Sequence, residues 1–175
     1  MKVFLNDNMK KLFIVRHAKS SWDNPNLDDF DRPLNKRGKK SAPEMGRRLL
    51  NKKIFPDLMI TSPAKRASAT ASRIAEVVSF PRKNIIKESK FYEASISDFL
   101  SVLRTIDDDV DTLMIFSHNP GLTDLSNFLS DSDIYNIPTC GVVEVELDIA
   151  SWSEIGKNTG KMVWFDYPKK DSTPV

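Results

Sequence analysis

Leu12-Phe13-Ile14-Val15-Arg16-His17 is the stretch that decides the fold. Four consecutive apolar residues form a continuous run of the kind that makes a strand buried on both faces of a parallel sheet. Two polar residues follow where such a strand stops. The run is well short of the ~7–15 apolar residues of a signal-peptide core or the ~20 of a membrane span. Met9-Lys10-Lys11 immediately before it makes a natural start, so residues 1–8 are expected to be an upstream extension with no role in the fold.

Downstream of this strand, residues 20–32 are rich in Trp, Asp, Asn and Pro without periodicity, a loop long enough to fold over a site at the strand end. Its acidic cluster, Asp28, Asp29 and Asp31, reads as solvated. Residues 36–53 carry a helical stripe of Ala42, Met45, Leu49 and Leu50, with Pro43 expected to start or kink the helix. Asp57-Leu58-Met59-Ile60 predicts a second strand. Ser62-Pro63 then supplies an N-cap and a first-turn proline for a helix whose apolar face is Ala64, Ala67, Ala71, Ile74, Ala75 and Val78, with Arg66 off that face.

Residues 84–91 read as extended, and Ile96, Phe99, Leu100, Leu103 and Ile106 as an amphipathic helix with Ser95 and Asp98 at capping-box spacing. Residues 112–116 form the next buried strand, ending in Ser117-His118-Asn119-Pro120-Gly121. There Asn119 is placed to cap a helix beginning at Pro120 and carrying Leu122, Leu125, Phe128 and Leu129. Residues 141–147 and 161–165 alternate like two late strands, antiparallel neighbours across a turn near residues 157–160.

This succession predicts an α/β fold: a three-layer α/β/α domain with a mostly parallel central sheet and late antiparallel strands. At 175 residues, 40% hydrophobic, with only 6 Gly and 10 Pro and no linker-like segment, residues 1–175 fit a single domain able to bury its own core. Twenty-six basic residues against 24 acidic ones give a formal charge of +2, too balanced for a nucleic-acid-binding sheath or a polybasic membrane anchor. The lone Cys140 excludes an intrachain disulfide and Cys-based metal clusters, which fits a cytoplasmic setting.

Ligands of open α/β sheets bind beyond the carboxyl ends of the strands. Both histidines of the chain fall there, His17 after the first strand and His118 after a later one. With Arg16 at the first strand end and Arg66 in the first turn of a helix, the groups converging on that rim favour an anion. Guanidinium matches phosphoryl oxygens with a planar fork of donors, and a helix N-terminus adds backbone N–H groups. Flanking guanidinium charge disfavours imidazolium, which keeps His17 neutral and nucleophilic. Taken singly, a histidine at a strand end is more often structural than catalytic; the conjunction changes that reading.

Arg16-His17-Ala18-Lys19-Ser20 resembles the signature of the histidine phosphatase superfamily, whose phosphoglycerate mutase-like fold has a short SixA-type branch of phosphohistidine phosphatases. Arg32-Pro33-Leu34-Asn35-Lys36-Arg37-Gly38, Ser62-Pro63-Ala64-Lys65-Arg66-Ala67 and Ser117-His118-Asn119-Pro120-Gly121 resemble the family's later blocks in the same order. The resemblance implies that His17 accepts the phosphoryl group, that Arg16 and Arg66 bind its oxygens and that His118 assists from the opposite side. It places Glu93 where many relatives carry the acid that protonates the leaving group, although SixA-type members can lack one. Arg32 is a candidate for phosphate contact or for bracing the loop before Pro33, and Lys19 and Trp22 for the rim of the site. The short chain, without a long helical insertion between strands, favours the SixA-like branch and an open site suited to a phosphohistidine on another protein.

The expected activity is therefore that of a metal-independent phosphatase, working through a covalent phosphohistidine on His17 and needing no cofactor. A phosphatase of small metabolites and a non-catalytic phosphate-binding module are the alternatives; an intact His17 favours an enzyme, since binding alone needs no nucleophile. Cys140 is followed by Gly141-Val142-Val143-Glu144 rather than a phosphate loop, so it reads as a small buried or turn residue. Asp109-Val110-Asp111 precedes its apolar strand, as no aspartyl nucleophile would, and residues 107–111 read as a solvated turn. No Walker loop or dinucleotide fingerprint is present.

Overall fold

In the structure, a computed structural model that describes residues 9–170, β1 (Lys10–Arg16) leads through α1 (Lys36–Asn51), β2 (Leu58–Thr61), α2 (Lys65–Val77), β3 (Ile86–Lys87) and α3 (Ile96–Leu103) to β4 (Thr112–Ser117). The chain continues through α4 (Gly121–Ser130) to β5 (Val142–Leu147) and β6 (Gly160–Asp166). The extension expected at residues 1–8 lies outside the described residues. One sheet of order β3-β2-β4-β1-β5-β6 results. Its first four strands run parallel, and β5 and β6 are antiparallel, as the sequence predicts.

The buried run of β1 serves two cores at once because successive strand side chains point to opposite faces. Leu12 and Ile14 pack with Phe99 and Leu103 of α3 and Leu122 and Leu125 of α4. Phe13 and Val15 pack on the other face with Ala42, Met45 and Leu49 of α1 and Ala71 and Ile74 of α2. Each such side chain stabilises the fold by ~1.5–3 kcal/mol on burial. A polar residue at any of the four positions would forfeit that term and strand a polar group in a core.

Register then places the site. β1 pairs with β4 so that Arg16 lies opposite Ser117, and the His17 N–H donates to the Ser117 carbonyl at 3.1 Å. The residues that follow this pair, His17 and His118, are thereby side by side at the carboxyl rim. Two glycines draw connecting segments against this rim. A Cβ on Gly38 would stand 2.2 Å from the Lys19 carbonyl oxygen, and one on Gly121 2.2 Å from that of Ala94. Each helix start therefore approaches a backbone more closely than any other residue permits.

Several local expectations are corrected. Helix α1 starts at Lys36, its Asn35 cap accepting from the Gly38 N–H at 2.9 Å, so Pro43 lies inside the helix instead of opening it. Helix α2 starts at Lys65 with Ala64 as its N-cap, so Ser62 is not the cap. Its Oγ accepts from the Ala64 N–H at 3.2 Å and is otherwise engaged in the site. Residues 84–91, expected to be extended, contribute only the two-residue β3 between single 3-10 turns at Arg82–Asn84 and Ser89–Phe91. Pro120 rather than Asn119 is the N-cap of α4, although Asn119 Oδ1 still accepts from the Thr123 N–H at 3.3 Å. The capping box at Ser95 and Asp98 forms as predicted.

The connection between β5 and β6 holds a 3-10 turn at Trp152–Glu154 and buries Trp152 completely, more than a tight turn near residues 157–160. Nor is the 107–111 segment merely solvated: Asp111 pairs with Lys10 at 2.8 Å, and Asp108 Oδ1 accepts from the Trp152 N–H at 3.0 Å. Cys140 is both buried and in a turn, with φ of 62°, and burial pushes its thiol up to about 12, which makes it inert. No helix among the described residues is long and apolar enough to cross a membrane.

Candidate active site

The rim of β1 and β4 brings together the four residues singled out at strand and helix ends. The rings of His17 and His118 lie 5.1 Å apart, tilted by 52°. Arg66, in the first turn of α2, points its Nε–H at His17 Nε2 over 3.3 Å. Arg16 donates from Nη1 to the Ile137 carbonyl at 2.8 Å. The buried Arg16 Nε and His118 Nδ1 have no hydrogen-bond partner. An unpaired buried donor such as Arg16 Nε is costly, and an incoming oxyanion would satisfy it.

The tautomer of His17 follows from its neighbours. Nδ1 lies 2.8 Å from the Ala18 carbonyl oxygen, which can only accept, so Nδ1 carries the proton and Nε2 the lone pair. The Arg66 contact to Nε2 agrees, since guanidinium can only donate. Burial pushes His17 down to about 4, helped by the charges of Arg66, Arg16 and Arg32 and opposed by the Ala18 hydrogen bond. Burial likewise pushes His118 down to about 3, with the His17, Arg66 and Arg16 charges adding to it and Asp29 opposing. Both rings are therefore neutral near pH 7. His118 Nε2 is fixed by Ser62 Oγ at 2.8 Å.

The loop over the site contains the main surprise. Asp29, expected to be solvated, opens a 3-10 turn (Asp29–Asp31) and is the most heavily bonded carboxylate of the region. Its Oδ2 accepts from Arg66 Nη2 at 2.8 Å and from the Tyr92 hydroxyl at 2.9 Å, its Oδ1 from Arg32 Nη1 at 3.0 Å, and its backbone carbonyl from Arg66 Nη1. Partial burial works to raise the pKa of this carboxyl. The hydrogen bonds from Tyr92 and Arg66, the charge of Arg66 and the bond from Arg32 outweigh it and hold the group at about 2.

Of the two roles open to Arg32, the contacts fit the brace. Its Nε donates to the Ser21 carbonyl at 3.0 Å and its Nη2 to Ser20 Oγ at 2.6 Å, so with Asp29 all three of its nitrogens are engaged within the loop. The guanidinium also stacks 3.2 Å over the ring of Trp22. Lys19 accepts through its carbonyl from the Asn35 N–H at 3.0 Å, at the start of α1.

Glu93, the residue after Tyr92, is exposed, with φ of 53°. It shares a cleft of about 610 Å³ with Asp29, Arg66, Tyr92 and His118. Tyr92 packs edge-on against His118, centroids 5.5 Å apart, and against Phe30 at 5.2 Å. Asp29, Tyr92 and the Ser62 contact to His118 are the parts of the site that sequence reading missed. Asp29 and Arg32 carry the i,i+3 spacing of an ion pair, but nothing local marks the reach to Arg66 or Tyr92. Among the described residues no group of three or more His, Cys, Asp or Glu is placed to hold a metal.

A family model described as histidine phosphatase superfamily (branch 1) matches residues 12–115, which include Arg16, His17, Arg66 and Glu93 and stop short of His118. An uncharacterized chloroplastic protein of Arabidopsis thaliana is 29% identical over 163 residues, 89% of this chain and 74% of its own length. Phosphoserine phosphatase 1 of Hydrogenobacter thermophilus is 36% identical over 87 residues, 49% of this chain and 39% of that protein, so the chain spans well under half of that relative. Among solved structures, the putative phosphohistidine phosphatase SixA from Agrobacterium tumefaciens superposes with a TM-score of 0.76 at 22% identity, covering 91% of this chain and 98% of that one. The last similarity concerns the fold.

Proposed function

Since the chain belongs to the histidine phosphatase superfamily, we propose that it is a metal-independent phosphatase whose His17 Nε2 attacks a phosphoryl group and carries it as phosphohistidine. The observation that carries this reading is the tautomer. The Nδ1–H bond to the Ala18 carbonyl leaves a lone pair on Nε2, in a cluster with Arg16, Arg66 and His118. In the first step the Nε2–P bond forms as the bond from phosphorus to the leaving nitrogen or oxygen breaks, and the leaving atom takes a proton. Water then attacks the phosphohistidine, releasing orthophosphate and returning the lone pair to Nε2. Arg16 and Arg66 neutralise the phosphoryl oxygens, the main demand of such a transfer. His118, held by Ser62, donates to an oxygen from the other side. Glu93 is the acid for ester leaving groups.

The preferred substrate is a phosphohistidine on a protein. Support comes from the fold shared with the putative phosphohistidine phosphatase SixA of A. tumefaciens along nearly the full length of both chains, and from a cleft lined in part by the exposed Glu93. A small phosphoester is the second reading, favoured by the stretch in common with phosphoserine phosphatase 1. To test the reaction, the protein is mixed with a labelled phosphohistidine-bearing protein or with p-nitrophenyl phosphate and quenched rapidly. Acid-labile label on His17 with release of phosphate, both lost in His17→Ala, is the expected result. Turnover that survives without His17, or no label and no turnover, sinks the proposal.

A further inference from the structure

The Arg66 guanidinium is the group that the proposed function assigns to the phosphoryl oxygens, yet it already bonds to neighbouring side chains and backbone. Its Nε faces His17 Nε2, and both terminal nitrogens are taken by Asp29, Nη2 by the carboxylate and Nη1 by the backbone carbonyl. An arginine merely oriented by a carboxylate keeps a terminal nitrogen for its ligand. Here an oxyanion approaching the terminal fork meets one in place. Arg16 Nε and His118 Nδ1, by contrast, are buried and unpaired. Three of the five Arg66 N–H donors, at least one on every nitrogen, are thus committed, while Arg16 Nε has no partner.

The tether of Asp29 is suited to release. None of residues 29–31 is buried, and the N-cap of their 3-10 turn makes no side-chain hydrogen bond. The turn is fastened to the site through side chains: Asp29 to Arg66, Arg32 and Tyr92, and Phe30 edge-on against Tyr92. Arg32 and Tyr92 are independent of Arg66, so they keep the carboxylate within reach after Arg66 lets go.

Resting on the proposed assignment of Arg66 to the phosphoryl group, we propose that Asp29 is a resident anion that holds the Arg66 fork and is expelled by the incoming phosphoryl group. Only an anion that offers Arg66 more than a carboxylate does can enter, so Asp29 selects doubly charged phosphoryl groups over the carboxylates that surround them in a cell. Release of orthophosphate returns Asp29 to the fork and assists product departure.

The test is calorimetric titration of the full chain with orthophosphate in mildly alkaline buffer, for the wild type, Asp29→Asn and Tyr92→Phe, each first shown to melt cooperatively. Asp29→Asn, which keeps the shape and removes the charge, is expected to bind orthophosphate about tenfold tighter. Tyr92→Phe, which loosens Asp29 without touching Arg66, is expected to show a smaller gain of the same sign. Unchanged or weaker binding in folded Asp29→Asn overturns the assignment and makes Asp29 a residue that positions Arg66. With turnover and His17 labelling intact in the wild type, that outcome leaves the phosphatase reading standing. Failure of every form to bind orthophosphate overturns both.

Discussion

The strand-end rim and the segments laid over it hold their side chains by different means. At the rim, Arg16-His17 and Ser117-His118 are fixed by the β1–β4 register, and His17 is anchored further by its own ring nitrogen on Ala18. Above it, Asp29, Arg32 and Tyr92 are tied by side-chain bonds across exposed or half-exposed loops. Burial depresses the histidines of the rim, whereas guanidinium and phenol partners depress the carboxylate of the loop. The rim is thus pre-built before any substrate arrives, and the loop is built to change partners.

Arg66 belongs to both regions, so its conservative replacement is the strongest attempt to break this contrast. Arg66→Lys keeps the charge and loses the fork; kcat/KM is expected to fall about a hundredfold to a thousandfold, in line with loss of a preorganised donor pair. A drop of less than tenfold in steady-state assays of the folded variant would place the phosphoryl contacts elsewhere.

Acid titration of stability separates the two regions next. His17 sits at about 4 in the folded state against 6.5 unfolded, so between those values the unfolded chain binds more protons and stability falls as pH falls. The slope approaches about 1.4 kcal/mol per pH unit for each such histidine, or roughly 3 kcal/mol over the window for His17. Asp29 likewise favours its deprotonated form in the fold, but in a lower pH window. Its contribution is complete above 3.8 and is lost as pH falls toward about 2, so the loop tie survives the range that weakens the rim. Urea unfolding followed from neutral pH down to about pH 4 checks this, and His17→Asn should flatten the curve. A curve equally steep in that variant would contradict the neutral, buried state of His17.

The smallest effect is expected at Glu93. Glu93→Gln should lower hydrolysis of an alkyl phosphate about tenfold or more, within the range of lost general acid catalysis, and leave phosphohistidine turnover nearly unchanged. Equal rates on the ester would remove Glu93 from the chemistry altogether.

The same contrast explains what was legible beforehand. The buried run of β1, the strand before His118, the stripe of α1 and the capping box at Ser95 and Asp98 are patterns of nearby residues, and each appears where the sequence puts it, except that Leu50, expected on the α1 stripe, is exposed. Helix starts were less secure. Ser62-Pro63 has the chemistry of a cap and first turn, yet α2 begins at Lys65, leaving the Ser62 hydroxyl within 2.8 Å of His118. Tertiary demand on that hydroxyl overrode the local signal. Residues 107–111 misled for a similar reason, since the partners of Asp108 and Asp111 lie at Trp152 and Lys10, distant in sequence.

By itself the sequence determined the sheet, the two strand ends and the four-block resemblance that assigns His17, Arg16, Arg66 and His118, because alternation, buried runs and motif order are properties of neighbouring residues. Only the tertiary structure decided that Asp29 rather than water holds Arg66, that Tyr92 lies between Asp29 and His118, and that Arg32 is spent inside its loop. Those contacts join loops with no pairing register between them, and a carboxylate in an acidic stretch looks solvated until the guanidinium that claims it has been folded into place.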